Sequence, residues 1–215
     1  MNIFRLAADI SHLVAIAILL AKIWTTRSCA GISGRSQVLF LIVFVCRYLD
    51  LFFSFISVYN TVMKILFVSS SIATVYLIFV KFRATYDKNH DIFWLSVLIV
   101  PAFILALLIN QEFSFFEACL LHSFIRYNRS VAIMPQLDML SRTGSAETIT
   151  AHYLFALGTY RGLYVLHYFY RFYLESHTDP IPLVAGIVQT VLYADFFYLY
   201  VTRVIQQNRN IQMPI

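Results

Sequence analysis

Long apolar runs separated by short polar stretches occupy almost the whole chain. Seven of them, Ile3 to Trp24, Val38 to Phe55, Thr61 to Val80, Ile92 to Leu108, Phe115 to Ile133, Tyr153 to Tyr173 and Ile181 to Val201, are each about 17 to 22 residues long, the length a helix needs to cross hydrocarbon. Their apolar character is continuous, without the alternation of a barrel strand, and backbone groups in lipid must be satisfied inside the segment. Each run therefore predicts a membrane-spanning helix, and the short connections leave no room for a soluble domain between them. The first run has no basic region before it and no small-residue cleavage site after it, so it reads as a retained span.

Loop charge predicts the orientation. Lys22, Arg27 and Arg35 flank the first connection, Lys81, Arg83 and Lys88 the third, Arg142 lies in the fifth, and Arg203 and Arg209 follow the last run. The alternate connections, around Ser57, Gln111 to Ser114 and Glu175 to Asp179, hold no Lys or Arg. By the positive-inside rule the basic side is cytosolic, which puts the N-terminus in the lumen and the C-terminus in the cytosol.

In that orientation Arg5, Asp9, Asp50, Lys64, Glu117 and Arg171 fall in the lumenal part of their runs, with Arg47 near mid-depth. A charge in hydrocarbon costs roughly 2.5 to 3.5 kcal/mol on insertion scales, so such groups face a partner or a watered cavity. Mutual pairing would lock helices together; because cations predominate, a cavity that opens to the lumen and takes an anionic ligand is the sharper expectation. Helical spacing groups these residues. Arg5, Asp9 and His12 share one face of the first run, Tyr160, Tyr164, His167, Tyr168 and Arg171 one face of the sixth, and Arg47 and Asp50 are neighbours on the second. Ser36-Gln37 opens the second run and Met134-Pro135-Gln136-Leu137 closes the fifth, where Pro-Gln is the mark of PQ-loop families. The predicted architecture is an all-α membrane protein with a single seven-span domain, 1–215. Two three-helix repeats, about 1–80 and 115–203, are joined by a linking helix at about 92–108, and a tail follows at 204–215.

Composition narrows the function. With 60% hydrophobic and 13% charged residues and a mean hydropathy of +0.73, the chain lies outside the range of soluble domains. Its 20 Phe and 14 Tyr suit packed helices and interfacial belts. The net charge of +5 is scattered among loops and runs, not gathered on one face, which argues against nucleic acid as a partner. Cys29, Cys46 and Cys119 are too dispersed for a disulfide framework or a metal site. No metal cluster, glycine-rich phosphate loop or nucleophile–base pair stands out, so neither an enzyme nor a cofactor is expected. No lipidation motif is apparent.

The stretches Arg27-Ser28-Cys29-Ala30-Gly31-Ile32-Ser33-Gly34, Arg47-Tyr48-Leu49-Asp50-Leu51-Phe52, Ala84-Thr85-Tyr86-Asp87, Ala146-Glu147-Thr148-Ile149-Thr150-Ala151-His152-Tyr153 and Tyr193-Ala194-Asp195-Phe196-Phe197-Tyr198 resemble the KDEL receptor family, the ER lumen protein-retaining receptors. The resemblance covers nearly the whole chain. It implies a SWEET-like seven-helix bundle that cycles between the cis-Golgi and endoplasmic reticulum membranes. Such a receptor binds escaped ER residents by a C-terminal Lys-Asp-Glu-Leu-type tetrapeptide at acidic Golgi pH and releases them at neutral ER pH. A tail of this kind is an address read by a receptor, and its carboxylates match the bidentate fork of arginine.

Carried over position by position, the resemblance implies that Arg47 and Tyr48 hold the terminal carboxylate while Arg5 and Arg171 meet the acidic side chains. Asp50 and Glu117 suit a cation at the first signal position. Tyr160 and Tyr164 line the cavity, His12 senses pH, and Asp195 is linked to transport. The chain also departs from the family. His167-Tyr168 stands where the family has Asn-Trp, which brings a second titratable group into the site. Leu120 replaces a tryptophan, and a cation–π surface is lost with it. Between Glu117 and Pro135 the chain is two residues longer, and Arg129 stands about where the family keeps the glutamate that partners Tyr160. After Arg203 come Gln206, Gln207, Asn208 and Arg209, where the family commonly has the clustered lysines read by the COPI coat.

Other polar residues have plainer readings. Asn128-Arg129-Ser130 fits a glycosylation sequon but lies deep in the fifth run, away from any transferase. His122 reads as a packing residue, His90 and His177 as solvated, and His152 as interfacial. The alternative function is a PQ-loop or SWEET-like small-solute transporter, whose sugar or cationic amino acid substrates would not call for three arginines converging from three runs.

Overall fold

The computed structural model describes residues 3–48, 57–108, 128, 131–143, 145–146, 148–175, 186–187, 190–191, 193–199 and 211–212. Among these the main helices are α1 (Ile3–Thr26), α2 (Gly34–Arg47), α3 (Val58–Tyr76), α4 (Ser96–Leu108), α5 (Met134–Thr143), α6 (Thr148–Glu175) and α7 (Ala194–Leu199). A two-residue antiparallel pairing, β1 (Ser145–Ala146) with β2 (Ile211–Gln212), sets Ser145 opposite Gln212. The first, third and sixth predicted runs thus appear as α1, α3 and α6, while most of the fifth run and much of the seventh lie outside the described residues.

Among the described residues two segments, Ile3–Thr26 and Val58–Lys81, are long and apolar enough to cross a membrane. Only 28% and 33% of their most apolar windows are buried, leaving Ile10, Val14 and Trp24 on one and Val62, Ile65 and Ile72 on the other exposed. A core helix of a soluble protein would bury such side chains; a lipid-facing helix presents them.

The chain forms two compact units, residues 1–31 with 140–215 and residues 32–139. In the first, α1 and α6 pack antiparallel: Phe4 meets Tyr170 with ring centroids 6.1 Å apart, and at the far end Lys22 Nζ donates to Thr150 Oγ1 at 2.8 Å. The buried face of α1 carries Ala8, Asp9, His12, Ala15, Leu19, Lys22 and Ile23, a spacing of three and four residues that puts them on one stripe. Small residues bring the two backbones close, and the Ser11 hydroxyl reaches the Ala156 carbonyl at 3.1 Å. Lys22, which the charge pattern reads as flanking the first connection, is only 3% exposed. It also donates to the Ala30 carbonyl at 2.8 Å, so this cation ties the turn after α1 to the start of α6. Gly31 completes that turn at a φ of 73°, a left-handed conformation in which a Cβ is strained.

In the second unit the Ser33 hydroxyl caps α2 by accepting from the Ser36 N–H at 3.2 Å, which starts the helix four residues before the apolar run. Asp91, 1% exposed, accepts from Ser33 Oγ at 2.8 Å, the Arg35 N–H at 3.1 Å and Tyr86 Oη at 2.5 Å. The Arg35 guanidinium donates to the Phe93 carbonyl. Burial, then the hydrogen bond to Asp91, pushes the Tyr86 phenol well above its ordinary pKa. Gln136 joins the cluster: its side-chain oxygen accepts from the Ser33 N–H at 2.7 Å and its own N–H donates to Ser36 Oγ at 2.9 Å. The Pro-Gln pair and the start of α2, which mark repeat symmetry in the sequence, are therefore hydrogen-bonded to each other. Ser57 caps α3 in the same way, and α3 runs on through a π-helical turn, Leu77–Lys81.

Candidate functional site

The predicted site residues that can be described in the first unit lie on facing stripes of α1 and α6. Asp9 and His12 are three apart on α1, 6% and 3% exposed. A carboxylate at such burial needs donors, and the Tyr164 hydroxyl supplies one, 2.5 Å from Asp9 Oδ1. The His12 imidazole lies flat on the Tyr160 ring, with centroids 4.2 Å apart and 4° between planes. The Arg161 guanidinium sits over the same Tyr160 ring at 4.7 Å. Tyr160 meets Tyr164 edge-on at 6.1 Å, and Tyr164 in turn meets His167 edge-on at 6.3 Å and Tyr168 at 6.3 Å. A continuous aromatic track thus runs from His12 through Tyr160 and Tyr164 to His167 and Tyr168.

Arg171 follows His167 by four residues on α6 and is half-buried, while Arg5 is exposed. The predicted face of α1 therefore divides, with Asp9 and His12 buried against α6 and Arg5 at the accessible end of the stripe. Sequence reasoning placed Asp9 on this stripe without giving it a role; its spacing to His12 was the available signal. Arg161 was missed, because the residue after Tyr160 is off the predicted face and only the structure brings its guanidinium over the ring.

In the second unit Arg47 is the last residue of α2, where a cation complements the helix dipole. Tyr48 caps that end, its N–H donating to the Phe44 carbonyl at 3.0 Å. The Tyr48 ring stacks on Phe44 at 6.0 Å and 3°, and Phe44 stacks on Phe67 at 5.6 Å. Lys64 Nζ, on a side chain 5% exposed, lies 6.0 Å from the Tyr48 ring centroid. Tyr48 is thus held by an aromatic stack and a buried cation. Lys64 was legible as a charge at lumenal depth, but nothing in the sequence tied it to Tyr48.

Asp50, Glu117, Leu120, Arg129 and the 204–210 segment lie outside the described residues, and Asp195 is described only as part of α7. Asn128 is 1% exposed. His90, outside the apolar runs, is exposed and pairs with Asp87 at 2.6 Å. Slight burial raises the Asp87 carboxyl, but hydrogen bonds from the His90 ring and backbone and from the Asn89 N–H outweigh it and hold the carboxyl below its usual range. Among the described residues no group of His, Cys, Asp and Glu could hold a metal ion.

Apolar helices that bury a histidine, a carboxylate and cations define a membrane protein with an internal polar site, a class in which such groups mark ligand or ion sites. The chain belongs to the ER lumen protein retaining receptor family, the KDEL receptors, whose family pattern matches residues 28–171. It is 66% identical over 213 residues, 99% of each chain, to an ER lumen protein-retaining receptor of Caenorhabditis briggsae. It is 59% identical over 214 residues, 100% of each chain, to the corresponding receptor of Drosophila melanogaster and to ER lumen protein-retaining receptor 2 of Homo sapiens. The family is one of receptors, not enzymes.

Proposed function

We propose that this protein binds the C-terminal Lys-Asp-Glu-Leu-type tetrapeptide of escaped ER lumenal proteins in the acidic cis-Golgi and releases it at the neutral pH of the endoplasmic reticulum. The observation that carries the reading is the buried His12 stacked on Tyr160 beside the Asp9–Tyr164 pair, in the same helix pair that presents Arg5 and Arg171. The ordinary imidazole pKa of about 6.5 lies between the two compartments. Protonation adds positive charge where an acidic peptide would sit, so the bound state favours the proton and acid favours binding. Arg47 and Tyr48 receive the terminal carboxylate, Arg5 and Arg171 the Asp and Glu side chains, and Asp50 and Glu117 the first signal residue. Tyr160, Tyr164, His167 and Tyr168 form the wall.

In this proposal the chain spans the bilayer seven times as two three-helix repeats with a linking helix, N-terminus lumenal and C-terminus cytosolic. Asp195 acts in transport, and the arginine-containing tail engages the COPI coat. The experiment is equilibrium binding of a peptide ending in Lys-Asp-Glu-Leu to the purified protein across the pH range of the two compartments. Saturable binding at acid pH that is lost when the peptide C-terminus is amidated supports the reading. Equal affinity for free and amidated peptides overturns it.

A further inference from the structure

His167 is 8% exposed and joins the same aromatic track as His12 from the opposite end. Its ring is 6.3 Å from Tyr164, edge-on at 80°, and 5.6 Å from Tyr168. Tyr164 is the residue whose hydroxyl donates to Asp9, so its hydroxyl meets the α1 carboxylate while its ring meets the α6 histidine. Arg171, one helical turn further on, lies on the same face.

We propose that His167 is a second proton-binding group of the peptide site, acting with His12 so that capture draws on two protons. The proposal rests on the reading of the site as a receptor for an acidic C-terminal signal. The surrounding groups supply the coupling. On α1 the pairs Phe4–Tyr170 and Asp9–Tyr164 set the register and put Arg5 at the level of His167, with Asp9 and His12 beyond it. On α6 the titratable and charged groups are Tyr160, Arg161, Tyr164, Tyr168 and Arg171. The segment packed on the α6 face at Gly158 brings Tyr193 and Phe197.

A peptide carboxylate placed between Arg5 and Arg171 neutralises those cations and favours the imidazolium. Ligand and proton therefore favour each other, and by linkage each helps the other to bind. His12 alone can supply at most about tenfold in affinity per pH unit, because the slope equals the number of protons taken up; two coupled histidines exceed that limit.

The test is the Lys-Asp-Glu-Leu peptide titrated against the full-length protein in detergent at half-unit pH steps, comparing the native chain with His167→Asn and with His12→Asn. Asparagine keeps hydrogen-bonding capacity without titrating, so a purely structural role for His167 leaves the slope unchanged. The expected result is a native slope steeper than about tenfold per pH unit, falling by about one proton in either single variant. A native slope that survives His167→Asn overturns the second site and leaves the receptor reading intact. Failure of the native protein to bind the peptide at any pH overturns both.

Discussion

The Tyr164 hydroxyl donates to Asp9 across the α1–α6 interface, joining residues 155 positions apart in the chain at 2.5 Å. The carboxylate is buried, so the bond holds the two helices in register as well as satisfying a charge. Tyr164→Phe removes this donor while keeping the ring. We expect a loss of about 1 to 3 kcal/mol, the range for a buried polar group deprived of a partner, seen as a lower melting temperature in detergent. Adding Asp9→Asn to that variant recovers part of the loss. A melting temperature unchanged by Tyr164→Phe would show that other donors carry Asp9.

The stacked His12 gives a prediction with a defined sign. In the proposed site a bound anionic peptide and a proton on His12 favour each other, so the His12 contribution to binding is expected at acid pH and is lost as pH rises. His12→Ala therefore weakens peptide binding near pH 5.5 and leaves affinity near pH 7.4 little changed, giving a shallower pH profile. Isothermal titration at the two pH values checks this. An unaltered profile would remove His12 from the switch.

Arg47 at the C-terminal end of α2 is the residue we propose holds the peptide terminus. Arg47→Ala is expected to abolish measurable binding without unfolding the chain, because the side chain is half-buried at a helix end and the aromatic stack of Phe44, Tyr48 and Phe67 remains. Arg47→Lys keeps the charge and loses the planar fork, so it retains intermediate affinity. Binding by Arg47→Ala at native strength would place the carboxylate elsewhere, with Lys64 the first cation to test.

How much of this was visible in the sequence depends on the distance over which the signal acts. Asp9, His12, Tyr160, Tyr164 and His167 could be placed on stripes because helical periodicity is local, repeating every three or four residues. Their pairing could not, since nothing in either stripe specifies that Tyr164 meets Asp9 or that His12 lies flat on Tyr160. The place of Lys22 at the end of the first run is legible in the same local way, whereas its burial depends on Thr150 and Ala30 arriving beside it. Gln136 was noticed as half of a motif, and the structure supplies the physical content, two hydrogen bonds to the start of α2. Spacing puts Arg5 on the same face as Asp9 and His12, but that Arg5 is exposed while the other two are buried depends on where α6 packs.

Asp91 is expected to be among the least replaceable residues of the second unit. It accepts from a buried side-chain hydroxyl and from a part-buried backbone N–H and phenol, and Asp91→Ala deprives all three donors of their partner. Loss of one partner costs about 1 to 3 kcal/mol, so the variant should fold poorly or melt far below the native protein. Asp91→Asn keeps the volume and one acceptor oxygen and should fall between the two. Thermal unfolding of the three proteins under one detergent condition tests the order.

Gly158 provides a packing test independent of charge. A Cβ built on this residue would lie 2.5 Å from Phe197 Cζ and 3.1 Å from Tyr193 Cδ1, inside van der Waals contact. Phe197 also packs edge-to-face on Phe155 at 5.4 Å and meets Tyr193 at 6.0 Å, so moving the ring away from Gly158 disturbs both contacts. Gly158→Ala should therefore destabilise the protein by about 1 to 3 kcal/mol, the usual range for overpacking, even though alanine is the better helix former. Replacing Phe197 with leucine shortens the side chain at the point of collision. The double variant should then be more stable than the two single losses added together, and a double-mutant cycle measures that coupling directly. Strict additivity would mean that the α6 backbone, rather than the Phe197 ring, absorbs the extra methyl group.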